Sequence, residues 1–303
     1  MIHAKWVITV NQRRTVHAFH SVAIHEGIIV AIIPTGEANE LYTADHELGL
    51  DDHAIIPGLI NAHGHAPMSL FRGIADDLAL MDWLTNHIWP SESKWVSSDF
   101  VNDGTRLAIA EMLLSGTTTY SDMYFFPEVA AQVAEEIGIR AQFVCPILDF
   151  PTMWGSGPDE YLAKAKVLAV EHQDSKLITI GLGPHAPYTV SDEPIRQICA
   201  TARELGLPVQ IHLHETQHEV DEAIASQSLR PIERMRRLGL IGPDIALQCV
   251  HMTALDDEDI ESIRNSAASV IHCPESNLKL ASGFCPSATL LNRGITVALG
   301  TDG

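Results

Sequence analysis

The stretch "LITIGLGPHAPYTVSDEPIRQICATARELGLPVQIHLHET", Leu177–Thr216, holds a complete strand–helix–strand unit. Leu177–Gly183 is short, apolar and β-prone, which predicts a buried strand. Ser191-Asp192 followed by Pro194 is a helix start signal. The helix predicted from Asp192 runs to Leu205 and stops at Gly206, where a left-handed cap suits glycine. Pro208–His214 is a second apolar run. Two buried strands joined by a helical crossover lie parallel. Each strand ends in a polar group: His185 after the first, and His212, His214 and Glu215 at the end of the second.

The same unit recurs on both sides of this stretch. Strands are expected at Gly58–Ala62, Thr117–Met123, Arg140–Leu148, Ile245–His251, Ser269–Cys273 and Thr296–Gly300. Helices are expected at Asp99–Ser115, Pro127–Ile137, Asp159–Glu171, Glu219–Leu238, Asp256–Arg264 and Ser287–Asn292. Eight parallel strands with helical crossovers predict a closed (β/α)8 barrel of the TIM type. An open doubly wound sheet would carry a glycine-rich phosphate turn after its first strand, and none is present. Before Pro57 the chain is rich in Val, Ile and Thr, with turns at Glu26-Gly27 and Pro34-Thr35-Gly36. It reads as a small all-β element. The expected domains are therefore 1–56 and 57–303. The sequence stops at "VALGTDG" directly after the eighth strand, so the barrel is expected to be incomplete there, and a chain ending at Gly303 to be poorly soluble or unstable.

Composition narrows the function. The 303 residues are 46% hydrophobic and 19% charged, with a formal net charge of −20. A strongly acidic chain lacks the basic face that phosphate contacts need, which argues against nucleic acid. The same charge is repelled by anionic membranes, and no apolar run approaches a membrane span. The five cysteines are scattered, with no C-x-x-C. They read as free thiols in a reducing compartment, and a cytoplasmic location is expected.

Catalytic residues of such barrels gather at the C-terminal ends of the strands. Here those ends carry His63-x-His65, His185, His212 with His214 and Glu215, His251, His272 with Glu275, and Asp302. A lone strand-end histidine is an ordinary feature, and a lone Asp302 in "TDG" reads as a turn residue. Six strand ends bearing such groups around one mouth read as a site. Strand alternation puts His63 and His65 on one face, and it cannot choose between His212 and His214. Imidazoles plus a carboxylate suit zinc or a similar divalent ion. Such an ion lowers the pKa of a bound water to about 7. Glu215 is placed to shuttle a proton to a leaving group.

These residues resemble those of the amidohydrolase superfamily. More narrowly, "PGLINAHGHAPMSLFRGIADDLALMDWLTNHIWPSE" (57–92), "GPHAPYT", "IHLHET", "HCPESNLKLASG" and "ALGTDG" resemble the 5′-methylthioadenosine/S-adenosylhomocysteine deaminases of the triazine-hydrolase-like branch. The resemblance covers essentially the whole chain. It implies a β-sandwich begun by residues 1–56, and His63, His65, His212 and Asp302 as metal ligands; the H-x-x-E spacing to Glu215 selects His212. It further implies Glu215 as proton donor to a purine ring nitrogen. Asp302 with His251 would orient the attacking water, His185 would hydrogen-bond the purine, and Glu92 would accept from the ribose hydroxyls. Binuclear relatives place a lysine at the end of strand four. Here that strand has none after Lys176, so one ion is expected, Zn2+ first, with Fe2+ or another divalent ion as alternatives.

The expected reaction is hydrolytic deamination of an adenosine analogue at C6. A guanine or other nucleobase deaminase and an s-triazine hydrolase are the alternatives, and a non-catalytic scaffold would have lost its ligands. Arg140 is read as structural. His272 receives no ligand role, and Asn277 and Lys279 are read as shaping the loop after strand seven. Trp83, Leu84 and Trp89 are read as a loop core or as walls of an adenine pocket. A nucleoside is the expected partner, and a homodimer is left open.

Overall fold

A computed structural model describes all residues from Met1 to Gly303. The chain divides into two compact units, Met1–Leu59 and Ile60–Gly303.

The first unit is one four-stranded sheet. Its strands are β1 (Ile2–Ile8), β2 (Val16–His25), β3 (Ile28–Pro34) and β4 (Leu48–Ile55), in the order β3-β2-β1-β4. The neighbours are antiparallel except β1 and β4, which run parallel. Glu26 and Gly27 turn the β2–β3 hairpin, both with positive φ, as a two-residue turn matched to strand twist requires. One detail differs from the sequence reading: this small mixed sheet is not all-β. Thr35–Leu41 forms helix α1, because Pro34 presets the chain and Glu37, Ala38, Glu40 and Leu41 are good helix formers.

The second unit carries the barrel. Its strands are β5 (Leu59–Asn61), β6 (Thr117–Asp122), β7 (Arg140–Ile147), β8 (Ile178–Pro184), β9 (Val209–Leu213), β10 (Leu247–His251), β11 (Ser269–His272) and β12 (Val297–Leu299). They form one eight-stranded sheet in sequence order. The two end strands also meet. Ala62 N–H donates to Leu299 O at 2.9 Å, and the Asn61 side chain bonds Thr301 through both its oxygen and its nitrogen. The sheet thus curls back on itself, as the repeated strand–helix pattern predicts.

Helices α2 (Leu80–Trp83), α3 (Trp89–Trp95) and α4 (Ser98–Leu114) lie between β5 and β6, with a 3-10 segment at Ala66–Phe71 and a π turn at Leu84–Ile88. Then follow α5 (Pro127–Ile137), α6 (Pro158–Glu171), α7 (Asp192–Leu205), α8 (Gln217–Gln227), α9 (Pro231–Arg237), α10 (Asp257–Arg264), α11 (Pro274–Lys279) and α12 (Ser287–Asn292). The single helix expected over Glu219–Leu238 is two, α8 and α9. Ser228 takes a left-handed φ of 55°, and Pro231 starts the next helix; proline suits a first turn and not a helix interior.

Helix α7 shows how the helices cover the sheet. It buries Ile195, Ile198, Cys199 and Ala202 at helical spacing. These join a core with Phe143, Ile180, Ile211 and Leu213 of the strands. Inside the barrel the side chains are partly polar. Gln142 of β7 bonds Gln248 of β10, and Gln210 of β9 approaches Ser121 of β6. Neither pair of strands is adjacent, so these side chains cross the interior. All five cysteines are free and buried. No helix is long and apolar enough to cross a membrane.

Candidate active site

Four residues from three strand ends converge. His63 and His65 follow β5, His212 lies in β9 and Asp302 follows β12. Their ligand atoms all lie within 4.8 Å of one another. Asp302 Oδ1 is 2.9 Å from His63 Nε2 and 3.3 Å from His65 Nε2. The Nε2 atoms of His63 and His212 are 3.2 Å apart.

The far nitrogen of each imidazole is already engaged. His65 Nδ1 donates to Met123 O at 2.6 Å, and His212 Nδ1 donates to His185 O at 2.7 Å. His63 Nδ1 faces Gln210 Oε1 at 2.6 Å. With the proton of a neutral ring on Nδ1, the Nε2 atoms of His63 and His212 turn bare lone pairs toward the centre. Two lone pairs at 3.2 Å beside a carboxylate are unfavourable unless a positive charge lies among them. The donor set therefore fits a divalent cation with nitrogen and oxygen ligands.

Electrostatics agree. Burial lowers His63 and His212 below the ordinary imidazole range, so both are neutral ligands. Burial opposes charge on His65 too, but the Asp302 carboxylate and the Met123 carbonyl outweigh it and raise it to about 9. Burial likewise opposes ionisation of Asp302, yet His251, His63 and His65 hold it well below the usual carboxylate range. Cationic charge is favoured at this point of the barrel.

The expected acid and base groups surround this cluster. Glu215 is buried, and that burial, with the Asp302 charge, pushes its carboxyl up to about 8. His251 Nε2 lies 3.7 Å from Glu215 Oε2 and 4.0 Å from Asp302 Oδ2. Its Nδ1 pairs with Asn277 Oδ1 at 2.8 Å. Asn277 thus does more than shape a loop: it orients a site histidine. His185 pairs its Nδ1 with Thr189 Oγ1 at 3.0 Å, and burial lowers it to about 3. Glu92, in the first turn of α3, is raised by burial, while the nearby Tyr124 hydroxyl and His65 favour its charged form.

Four non-glycine residues at the site have left-handed backbone. His214, His251, Met252 and Asp302 all take positive φ, at 50°, 75°, 52° and 70°. Non-glycine residues accept that conformation only where the surroundings enforce it. The kink at His214 settles which histidine faces the cluster. Alternation alone would aim His212 and His214 the same way, but His214 turns to Ala254 O (2.9 Å) and accepts from Ile232 N–H (3.2 Å). Glu219 of α8 holds the kink by accepting from the main-chain N–H groups of both His214 and Glu215, at 3.1 and 2.8 Å.

Several site residues escaped the sequence reading: Gln210, Ser276, Asp122 and Glu219. Ser276 Oγ donates to Asp302 Oδ2 at 2.5 Å, and Asp122 accepts from Ala66 N–H at 2.5 Å. Gln210 was legible in principle, being two residues before His212 on the same strand face. Others lie outside the cluster. Lys279 pairs with Asp76 at 2.6 Å, Arg140 is exposed at the start of β7, and the buried Nδ1 of His272 has no partner.

A cavity of about 780 Å³ opens over the cluster. His65, His185, His212, Glu215, His251 and Asp302 line its floor, and Trp83, Leu84, Trp89, Leu148 and Phe150 line its walls together with Glu92. Trp89 and Phe150 meet edge to face at 6.4 Å. Apolar walls with a few convergent polar groups suit a flat heterocycle.

Comparison with known proteins agrees with this arrangement. Residues 54–303 match the model of the amidohydrolase family. A 5-methylthioadenosine/S-adenosylhomocysteine deaminase of Saccharophagus degradans is 52% identical over 303 residues, all of this chain and 68% of that protein. The crystal structure of an adenosine deaminase from Xanthomonas campestris with bound zinc superposes with a TM-score of 0.97 at 45% identity, covering all of this chain and 68% of that one. The atrazine chlorohydrolase TrzN of Arthrobacter aurescens shares the fold, with a TM-score of 0.89 at 19% identity over all of this chain and 72% of its own. The chain belongs to the amidohydrolase family.

Proposed function

We propose that the chain deaminates 5′-methylthioadenosine, S-adenosylhomocysteine or a related adenosine by hydrolysis at purine C6, yielding ammonia and the inosine analogue. One observation carries this reading: a buried carboxyl, Glu215, stands beside a three-histidine, one-aspartate cluster at the floor of an apolar cavity. The full-length similarity to a deaminase of these nucleosides supports the substrate class.

His63, His65, His212 and Asp302 would hold the ion, Zn2+ as in the Xanthomonas deaminase. When bound, it supplies Lewis-acid activation of water. The chain's own residues handle the protons. Asp302 and His251 face the same point from two sides and take the proton of the attacking water. Glu215 gives its proton to the ring nitrogen beside C6, so the ring accepts the electron pair as the new C–O bond forms. The C–N bond then breaks: the amine leaves as ammonia after taking a proton from the same relay, and the C6 hydroxyl returns its proton to Glu215 as it becomes the carbonyl. His185, its Nδ1 tied to Thr189, offers Nε2 to the purine. Glu92 accepts from the ribose hydroxyls, and Trp83 and Trp89 flank the base and exclude water.

Ammonia release from methylthioadenosine, adenosine, guanine and a chlorotriazine is the direct test. Turnover of the adenosines is expected. No turnover on any adenosine overturns the reading, and turnover confined to guanine or the triazine assigns the alternative.

A further inference from the structure

Three glutamines that the chemistry above does not use lie inside the barrel beneath the cluster: Gln142 of β7, Gln210 of β9 and Gln248 of β10. Gln210 is fully buried. A buried amide needs partners for both its oxygen and its nitrogen. Gln142 and Gln248 satisfy each other. Gln142 Nε2 donates to Gln248 Oε1 at 2.8 Å, and Gln248 Nε2 donates back to Gln142 Oε1 at 3.2 Å. Gln210 Nε2 donates to the same Gln248 oxygen at 2.7 Å and to the main-chain oxygen of Ala62 at 3.2 Å.

A main-chain carbonyl only accepts, so the Gln210 amide has one workable direction. Its nitrogen faces Ala62 and Gln248, and its oxygen faces His63 Nδ1 at 2.6 Å. That oxygen accepts a proton from Nδ1. A neutral imidazole carries one such proton, so His63 Nε2 is left with its lone pair toward Asp302 and His212.

We propose that the Gln142–Gln248–Gln210 ladder is a tautomer lock for His63, made of positioning residues that prepare this ring for the metal. The proposal rests on the reading of the cluster as a metal site. Among the three histidines, His63 alone depends on a side chain for this. His65 and His212 donate to main-chain oxygens, of Met123 and His185, which no side-chain substitution removes.

The test measures zinc affinity rather than turnover. Gln210→Met keeps the volume and removes the acceptor; Gln248→Met removes the next link and touches no ligand. Zinc dissociation constants come from chelator competition, and the His63 ring tautomer from 15N NMR of the metal-free protein. Gln210→Met is expected to weaken zinc binding roughly 10- to 100-fold and to lose the Nδ1–H preference at His63. Gln248→Met is expected to weaken it roughly 3- to 10-fold, because the Ala62 bond remains. A cooperative melt of each metal-free variant separates these effects from unfolding. A folded Gln210→Met with zinc affinity within threefold of wild type, or with an unchanged tautomer, overturns the lock. Should Gln210→Met fail to fold, unchanged affinity in Gln248→Met overturns it. A wild-type chain that binds no zinc overturns the metal site itself, and the lock with it.

Discussion

At Glu215, burial counts for more than any neighbouring charge. It raises the carboxyl to about 8, and Asp302 adds to the shift. The group therefore carries its proton at pH 7, as a donor to a ring nitrogen must. The proton-bearing form is the active one, so turnover is expected to be steady below pH 8 and to fall as the pH rises through it. A kcat profile flat to pH 9.5 would contradict this assignment. Glu215→Gln keeps the size and loses the transferable proton. Its kcat is expected to fall roughly 10²- to 10⁴-fold with zinc content unchanged, which metal analysis beside kinetics would check. Individual residues were legible to different degrees. His63, His65 and Asp302 stand in compact motifs. The choice of His212 over His214 depends on a left-handed kink at His214, which alternation cannot foresee, and only the resemblance supplied it. Ser276 carries no charge, and nothing in its local sequence reports that a partner distant in the chain awaits it; Gln210 shares the strand face of His212 but has no charge to single it out.

Among the elements, the contact between α4 and the 3-10 segment at Ala66–Phe71 places the histidine pair. Gly104 of α4 lies against the Pro67 backbone: a Cβ there would meet Pro67 O at 2.6 Å and Pro67 Cα at 2.7 Å. Backbone cannot rotate aside as a long side chain can, so Gly104→Ala must push the segment that begins right after His65. The expected cost is about 1–3 kcal/mol of stability, together with weaker zinc retention. Denaturant unfolding and zinc analysis read the two effects separately, and an unchanged midpoint would refute the close packing. Helices such as α7 were legible because their apolar residues recur at helical spacing against the sheet. Residues 66–95 were not. Trp83, Leu84 and Trp89 turn toward the cavity, so their pattern reports a ligand wall rather than a sheet face, and the π turn at Leu84–Ile88 breaks the helical period.

For the whole molecule, the strand–helix alternation made the barrel readable from the sequence, while the way the barrel closes was not. The last strand meets the first through few groups: Ala62 with Leu299, Asn61 with Thr301, and His63 O, which accepts from Thr301 N–H and Asp302 N–H at 3.0 and 3.1 Å. Gly300 fits beside His63 because a Cβ there would come within 2.9 Å of His63 O. The same seam carries His63 and Asp302, and His212 reaches it from β9. An ion held by these residues ties the first, fifth and eighth barrel strands together, and it relieves the lone-pair and carboxylate crowding at the centre. An ion that binds only the folded chain stabilises it by about 4 kcal/mol at a free concentration a thousandfold above its dissociation constant. Chelation is therefore expected to lower the melting temperature in scanning calorimetry, and returning zinc to restore it. His63→Ala, which removes a ligand at the seam, is expected to melt lower and to respond far less to either treatment. If chelation demonstrably removes the zinc and the wild-type melting temperature does not move, the ion contributes chemistry alone and the seam holds without it.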